Sequence, residues 1–269
     1  MEQRIYLFKW GKVILLSPLL LFAHLTFAYP SQTTWLDPTF VERAFLDVAL
    51  KNEYRPGDKP LTKWQVPIHI WVDHRVADHV LHDELTNAHL RDLSAMTGHD
   101  IRRVSRREDA NVVWIFTRQS QWQDEIAEEI GLFALEHIKG AICKASFSYT
   151  SSSVIDKGVV IIPVDQARSH GKLLACIVEE ITQVLGLPND AESAYPSIFN
   201  DETPEDLLSP LDVILLKLLY EPELRPGMSR EQAAPVVRRL LQRYQQQGIL
   251  RDAAKQAKNN QLFKLVGGY

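Results

Sequence analysis

Residues 179–190 read EEITQVLGLPND, and the way this stretch folds decides the architecture around it. Leu173, Leu174, Ile177, Val178, Ile181, Val184 and Leu185 recur at helical spacing, so residues 169–185 are expected to form an amphipathic helix. Gly186 and Pro188 supply the usual stop signals. At about 100° per residue, Glu180 lies at the margin of the apolar stripe, with Cys176, Gln183 and Glu179 following around the same side. The helix thus buries one flank and presents two carboxylates and an amide from another. Glu179 and Gln183 are one turn apart, and a turn at Gly186 brings Asn189 and Asp190 back towards them. Taken alone, E-E-x-x-Q on an amphipathic helix is most often a solvated face, and GLPND a simple helix stop.

Working outward, the residues before this helix alternate between helix and strand patterns. WLDPTFVERAFLDVALKNEY is expected to be a helix capped by Asp37, with Pro38 in its first turn and Phe40, Val41, Ala44, Phe45 and Val48 as its apolar stripe. WQVPIHIWVDH alternates as a strand, with Val66, Ile68, Ile70 and Val72 on one side and Pro67 marking an edge or a start. A helix over 76–97 stops at Gly98, and IRRVSR and ANVVWIFT are two more strands. QWQDEIAEEIGLFALEHI carries a weaker helix pattern. GAICKASFSYT and the continuously apolar GVVIIPVD complete the strands, the latter as a central one. After the key helix, SPLDVILLKLLY has a capping box in Ser209 and Asp212, with Pro210 at the first helical position. A last helix opens at Ser229 with Gln232 spaced as its capping partner, Pro235 delays or kinks it, and the remaining tail is polar and peripheral. The order defines an α/β (α+β) domain with one mixed sheet of about five strands. Residues 29–62 form an N-terminal helical extension, 63–228 the main domain and 229–269 a C-terminal helical tail.

Over residues 65–222 the chain resembles the metzincin metallopeptidases, whose motif is H-E-x-x-H-x-x-G-x-x-H. It most resembles a bacterial family of exported proteins of unknown function with a zincin-like core and the form E-E-x-x-Q-x-x-G-x-x-N-D. The resemblance implies that Glu179, Gln183 and Asn189, with Asp190 beside them, stand at zinc-ligand positions, Glu180 at that of the general base, and Gly186 at the turning glycine. PSIFND then stands for the Met-turn, with Ile198 or Phe199 replacing methionine, and SPLDVILLKLLY for the helix that closes the core. Every histidine ligand is missing. Zinc prefers imidazole nitrogen and thiolate sulfur, whereas Glu179, Gln183, Asn189 and Asp190 offer oxygen, two of them as neutral amides. An oxygen-ligated divalent metal of the calcium, magnesium or manganese kind suits such a set better, and polarises water less. Without a metal, burial of Glu180 beside another acid would favour its protonated form.

The first 28 residues have the layout of a secretory signal peptide: Arg4, Lys9 and Lys12, then VILLSPLLLFAHLTFA with small Thr26 and Ala28 before the cut. The alternative is an uncleaved membrane anchor, although the apolar stretch is shorter than the roughly 20 residues a spanning helix needs. Without the leader the chain carries 27 basic and 33 acidic side chains, a net charge of −6, which argues against a nucleic-acid or anionic-membrane partner. Cys143 and Cys176 both fall in the exported part, where two thiols are expected to pair. Of the remaining polar clusters, His79 and Asp83 are one helical turn apart and could hold a metal, but a solvated face explains them as well. His69 suits a hydrogen-bonded structural role, His170 an exposed position, and SYTSSS a polar loop bordering the substrate cleft that the resemblance implies.

Three functions follow from these readings. One is a non-peptidase descendant of the metallopeptidase fold that binds a peptide, an envelope component or a partner protein in the former cleft. The second is an atypical metal-dependent hydrolase with Glu180 as base. The third is a structural or assembly factor acting through its C-terminal helices.

Overall fold

A computed structural model describes residues 33–52, 56–202 and 205–267, which belong to one compact unit; the expected leader, 1–28, lies outside the described residues. The first helix, α1 (Pro38–Leu50), begins where the sequence places it, with the Asp37 carboxylate accepting from the Thr39 amide at 2.9 Å. The single strand expected over 64–74 is instead two. β1 (Lys63–Trp64) and β2 (Ile68–His74) are separated by an exposed Val66 and by Pro67, which immediately precedes β2, an interior strand. α2 (His79–Thr97) follows and stops at Gly98, whose φ of 68° lets it close the last turn.

β3 (Ile101–Arg103), β4 (Val112–Thr117), α3 (Trp122–Glu129), β5 (Lys144–Tyr149) and β6 (Val154–Pro163) come next. The weak helix pattern divides into α3 and a 3-10 segment over Leu132–His137. The sheet has six strands in the order β1-β6-β4-β2-β3, all parallel, with β5 antiparallel on β6. β6 is interior, which accounts for its unbroken apolar sequence. Ile68, Ile70, Trp114, Phe116, Val160 and Ile162 face the main core, while Ile115 and Ile161 face a smaller cluster with Trp122 and Ile126 of α3.

The key helix starts later than the expected residue 169, at the first residue of its apolar stripe. A short helix, α4 (Val164–Ser169), ends at His170, Gly171 turns the chain with φ 67°, and α5 runs from Leu173 to Val184. α6 (Pro210–Leu219) and α7 (Arg230–Gln246) both carry the expected capping boxes, and Pro235 is accommodated inside α7 without delaying its start. The tail is not peripheral. It forms α8 (Ile249–Asn259) and α9 (Gln261–Gly267), which bury Leu250, Ala253, Ala257 and Leu262 against α6, α7 and α2. The Asp92 carboxylate of α2 accepts from the Gln261 and Leu262 amides at 2.7 and 2.9 Å, capping α9. No described helix is long and apolar enough to cross a membrane.

The candidate groove beside helix α5

α5 is held from three sides. Gly158 leaves room for Val184 on β6: a Cβ there would come 2.5 Å from the valine Cγ1. His89 of α2 reaches Val178 O at 3.1 Å, and Thr182 Oγ1 donates to the same carbonyl at 2.5 Å. At the C-terminal end, Trp64 Nε1 donates to Val184 O at 2.9 Å and the Tyr220 hydroxyl to Leu185 O at 3.1 Å, occupying carbonyls that helix geometry leaves without partners. Gly186 then turns with φ 118°, and a Cβ there would overlap the Thr62 carbonyl oxygen. Only glycine meets both demands.

The chain after Gly186 returns over the helix. Asn189, nearly buried, donates through Nδ2 to Asp47 O at 3.1 Å and to Asp190 O at 2.8 Å. Its amide is committed to anchoring the returning loop on α1, and the neighbouring Asp190 lines the groove instead. Burial alone would raise the Asp47 carboxyl, but hydrogen bonds from Arg230, Ser193 and Lys51 hold it below its ordinary range. Asn200 donates to Ala194 O at 2.9 Å and the Ala191 amide to Phe199 O at 2.8 Å, so the loop doubles back and brings Asp201 alongside Asp190. The PSIFND stretch packs into the core through Ile198 and Phe199, and is fixed to α6 by Asp212, which accepts from Ser197 Oγ at 2.5 Å and the Ile198 amide at 3.1 Å.

These constraints shape a groove of about 510 Å³ between α5 and the strap leading into β5. Glu179, Glu180, Gln183, Asp190 and Asp201 line it. Carboxylate oxygens of Glu179, Asp190 and Asp201 lie within 4.8 Å of one another, a spacing that suits a divalent cation. Gln183 Nε2 donates to Glu179 at 3.3 Å and Asp190 at 3.4 Å, so the amide bridges two of the three acids. Glu180 is 7% exposed and sits in the groove wall beside them. Lys144 and Lys172 also line the groove, the latter paired with Asp206 at 3.0 Å. Cys143 and Cys176 form a disulfide, which fastens the start of β5 to α5 across the groove floor and fits a non-cytoplasmic location.

Of the residues singled out from sequence, the structure therefore brings Glu179, Glu180, Gln183 and Asp190 together and turns the Asn189 amide elsewhere. Asp201 escaped sequence reading, although it closes the quoted PSIFND stretch. Its neighbours gave no sign that the loop would fold back onto α5. The histidine cluster is also more structural than its spacing suggests. His79 is exposed as expected, but His82 is fully buried, stacked on Phe116 at 4.4 Å, and His74 takes Asp83 at 2.9 Å. His69 receives Arg102 at 3.0 Å, and His170 is exposed.

The fold is a mixed α/β domain with a groove of oxygen donors along one helix, and residues 38–239 match the family model described as a protein of unknown function (DUF2927). The chain belongs to that family. Neither a curated protein nor a solved structure matches it.

Proposed function

We propose that the protein is an exported, zincin-like binding protein, in which the groove along α5 holds an extended peptide segment of an envelope or partner protein. Support for the ancestry comes from the succession β2, α2, β3, β4, then β5, β6 and α5, followed by a glycine turn and a buried loop closed by α6. The observation that carries the function is the donor set. At the positions where the resemblance would put three imidazoles, α5 and the loop after it carry only carboxylates and amides in place of the nitrogen ligands with which zinc activates water; the histidine that does line the groove, His137, comes from the strap before β5. β5 adds the means to hold an extended chain. Among the described strands it pairs only with β6, so its other side is a strand edge beside the groove, suited to main-chain hydrogen bonding.

The convergence of Glu179, Asp190 and Asp201 favours a second reading, in which an oxygen-ligated cation and Glu180 as base act on the bound chain. Titration of the oxidised protein with unstructured peptides, followed by NMR and by mass analysis of the peptides, separates the two. Shifts confined to β5 and α5, with every peptide recovered intact, are the expected result. Cleavage that disappears in Glu180→Gln would establish the second reading, and an absence of any shift along β5 would remove the first.

A further inference from the structure

A second cavity, of about 230 Å³, opens next to the groove and is lined by β5 and Gln183. Its floor is apolar, built from Ile130, Phe147, Val184 and Pro188, and Phe133 stands at its mouth 67% exposed to solvent. Among the described residues, the charged side chains that line it are all basic: Lys51, Lys59 and Lys144, with His137 beside them. Lys59 is the unusual one. Its ammonium lies 6.0 Å from the centre of the Phe147 ring, and its one hydrogen bond among the described residues goes to the neutral hydroxyl of Thr62 at 3.0 Å. Burial pushes Lys59 down to about 8, so it is a charged group held in an apolar wall at a cost. Lys51 is half committed, paired to Asp47 at 3.0 Å. An apolar floor rimmed by cations is complementary to an apolar group that carries an anion.

The volume decides between carriers of that chemistry. It falls below the roughly 300–1,000 Å³ of pockets that enclose drug-sized ligands, so it admits one residue and not a long acyl chain. The cavity also shares His137, Lys144 and Gln183 with the acid-lined groove, so a chain lying along β5 can end in it. We propose that this cavity receives the C-terminal residue of a peptide, with an apolar side chain against Phe147, Val184 and Pro188 and the terminal carboxylate on Lys59. The inference rests on the groove reading only in supposing that the rest of the peptide follows β5.

Calorimetry with acetyl-Ala-Ala-Phe and with its C-terminal amide tests it on the unaltered, oxidised protein. The free acid is expected to bind at least about tenfold more tightly than the amide, as a charge-assisted hydrogen bond requires. Lys59→Met should reduce the acid to the level of the amide while leaving the urea midpoint close to that of the parent. The preference should also fade as the pH rises through about 8, where Lys59 loses its proton. Equal binding of acid and amide, no binding of either, or binding of decanoate alone would overturn the proposal. Long peptides that bind along β5 regardless of their C-terminus would overturn it while sparing the groove reading. A tripeptide that binds through Lys59 when no long peptide occupies β5 would leave it standing and remove the groove reading.

Discussion

Gly186 shows how much of the site rests on single positions. Its φ of 118° and the contact of its α-carbon face with the Thr62 carbonyl place the loop that carries Asp190. Gly186→Ala should therefore cost about 2–3 kcal/mol, combining left-handed strain with an overlap that backbone must move to relieve. A urea-unfolding midpoint unchanged from the parent would contradict this. The glycine was legible in the sequence because helix stops have strong local chemistry. Asp201 was not, because its place beside Glu179 and Asp190 depends on Asn200 and the Ala191–Phe199 hydrogen bond folding the loop, which no local pattern encodes. Asn189 is placed by tertiary contacts as well. Its spacing after Gly186 suits a ligand, and its Nδ2 donates to the carbonyls of Asp47 on α1 and of Asp190, contacts that no local pattern encodes.

At the scale of elements, caps and periodicity located most helices and strands correctly. Ser209 with Asp212 and Ser229 with Gln232 start α6 and α7 where their spacing says. Three departures have physical causes. β1 separates from β2 because Lys63 and Trp64 are held by distant carbonyls, those of Leu219, Glu221 and Val184, so tertiary partners set that strand. α4 and α5 divide at Gly171, whose left-handed backbone ends one helix and leaves the next to begin at Leu173, the first residue of the apolar stripe. α8 and α9 were hidden because much of what they bury is alanine, which leaves little hydrophobic signal. The disulfide is the covalent tie between elements, joining Cys143 before β5 to Cys176 on α5 across 33 residues of sequence. Replacing both cysteines with serine should lower stability by about 3–4 kcal/mol in the chain-entropy picture. Equilibrium unfolding of the double variant checks this, and a loss below about 1 kcal/mol would show that packing alone sets the groove wall.

For the molecule as a whole, buried titrating groups fix the response to acid. Burial pushes His82 and His89 down to about 4, against an ordinary 6.5. Their full contribution is present above pH 6.5. It is lost as the pH falls towards 4, because the unfolded chain takes up protons that the folded one refuses. Asp212 works the other way: burial, against its hydrogen bonds from Ser197, Ser209 and Ile198, pushes it up to about 6 from 3.8, so it favours the folded state as the pH falls through 6. Two histidines outweigh one aspartate, and a tenfold change in a proton-binding constant corresponds to about 1.4 kcal/mol. The urea midpoint should therefore be lower at pH 4.5 than at pH 7.5, and an equal or higher value would contradict the assignment. His89 gives this loss a local consequence, since it bonds the backbone of α5 at Val178.

The central claim concerns what the groove can hold, and metal analysis of the untagged, oxidised protein tests it most directly. No zinc is expected to survive dialysis. Any cation taken up should be of the calcium, magnesium or manganese kind and should be lost in Glu179→Ala. One zinc per chain retained through dialysis, accompanied by peptide cleavage abolished in Glu180→Gln, would contradict the claim.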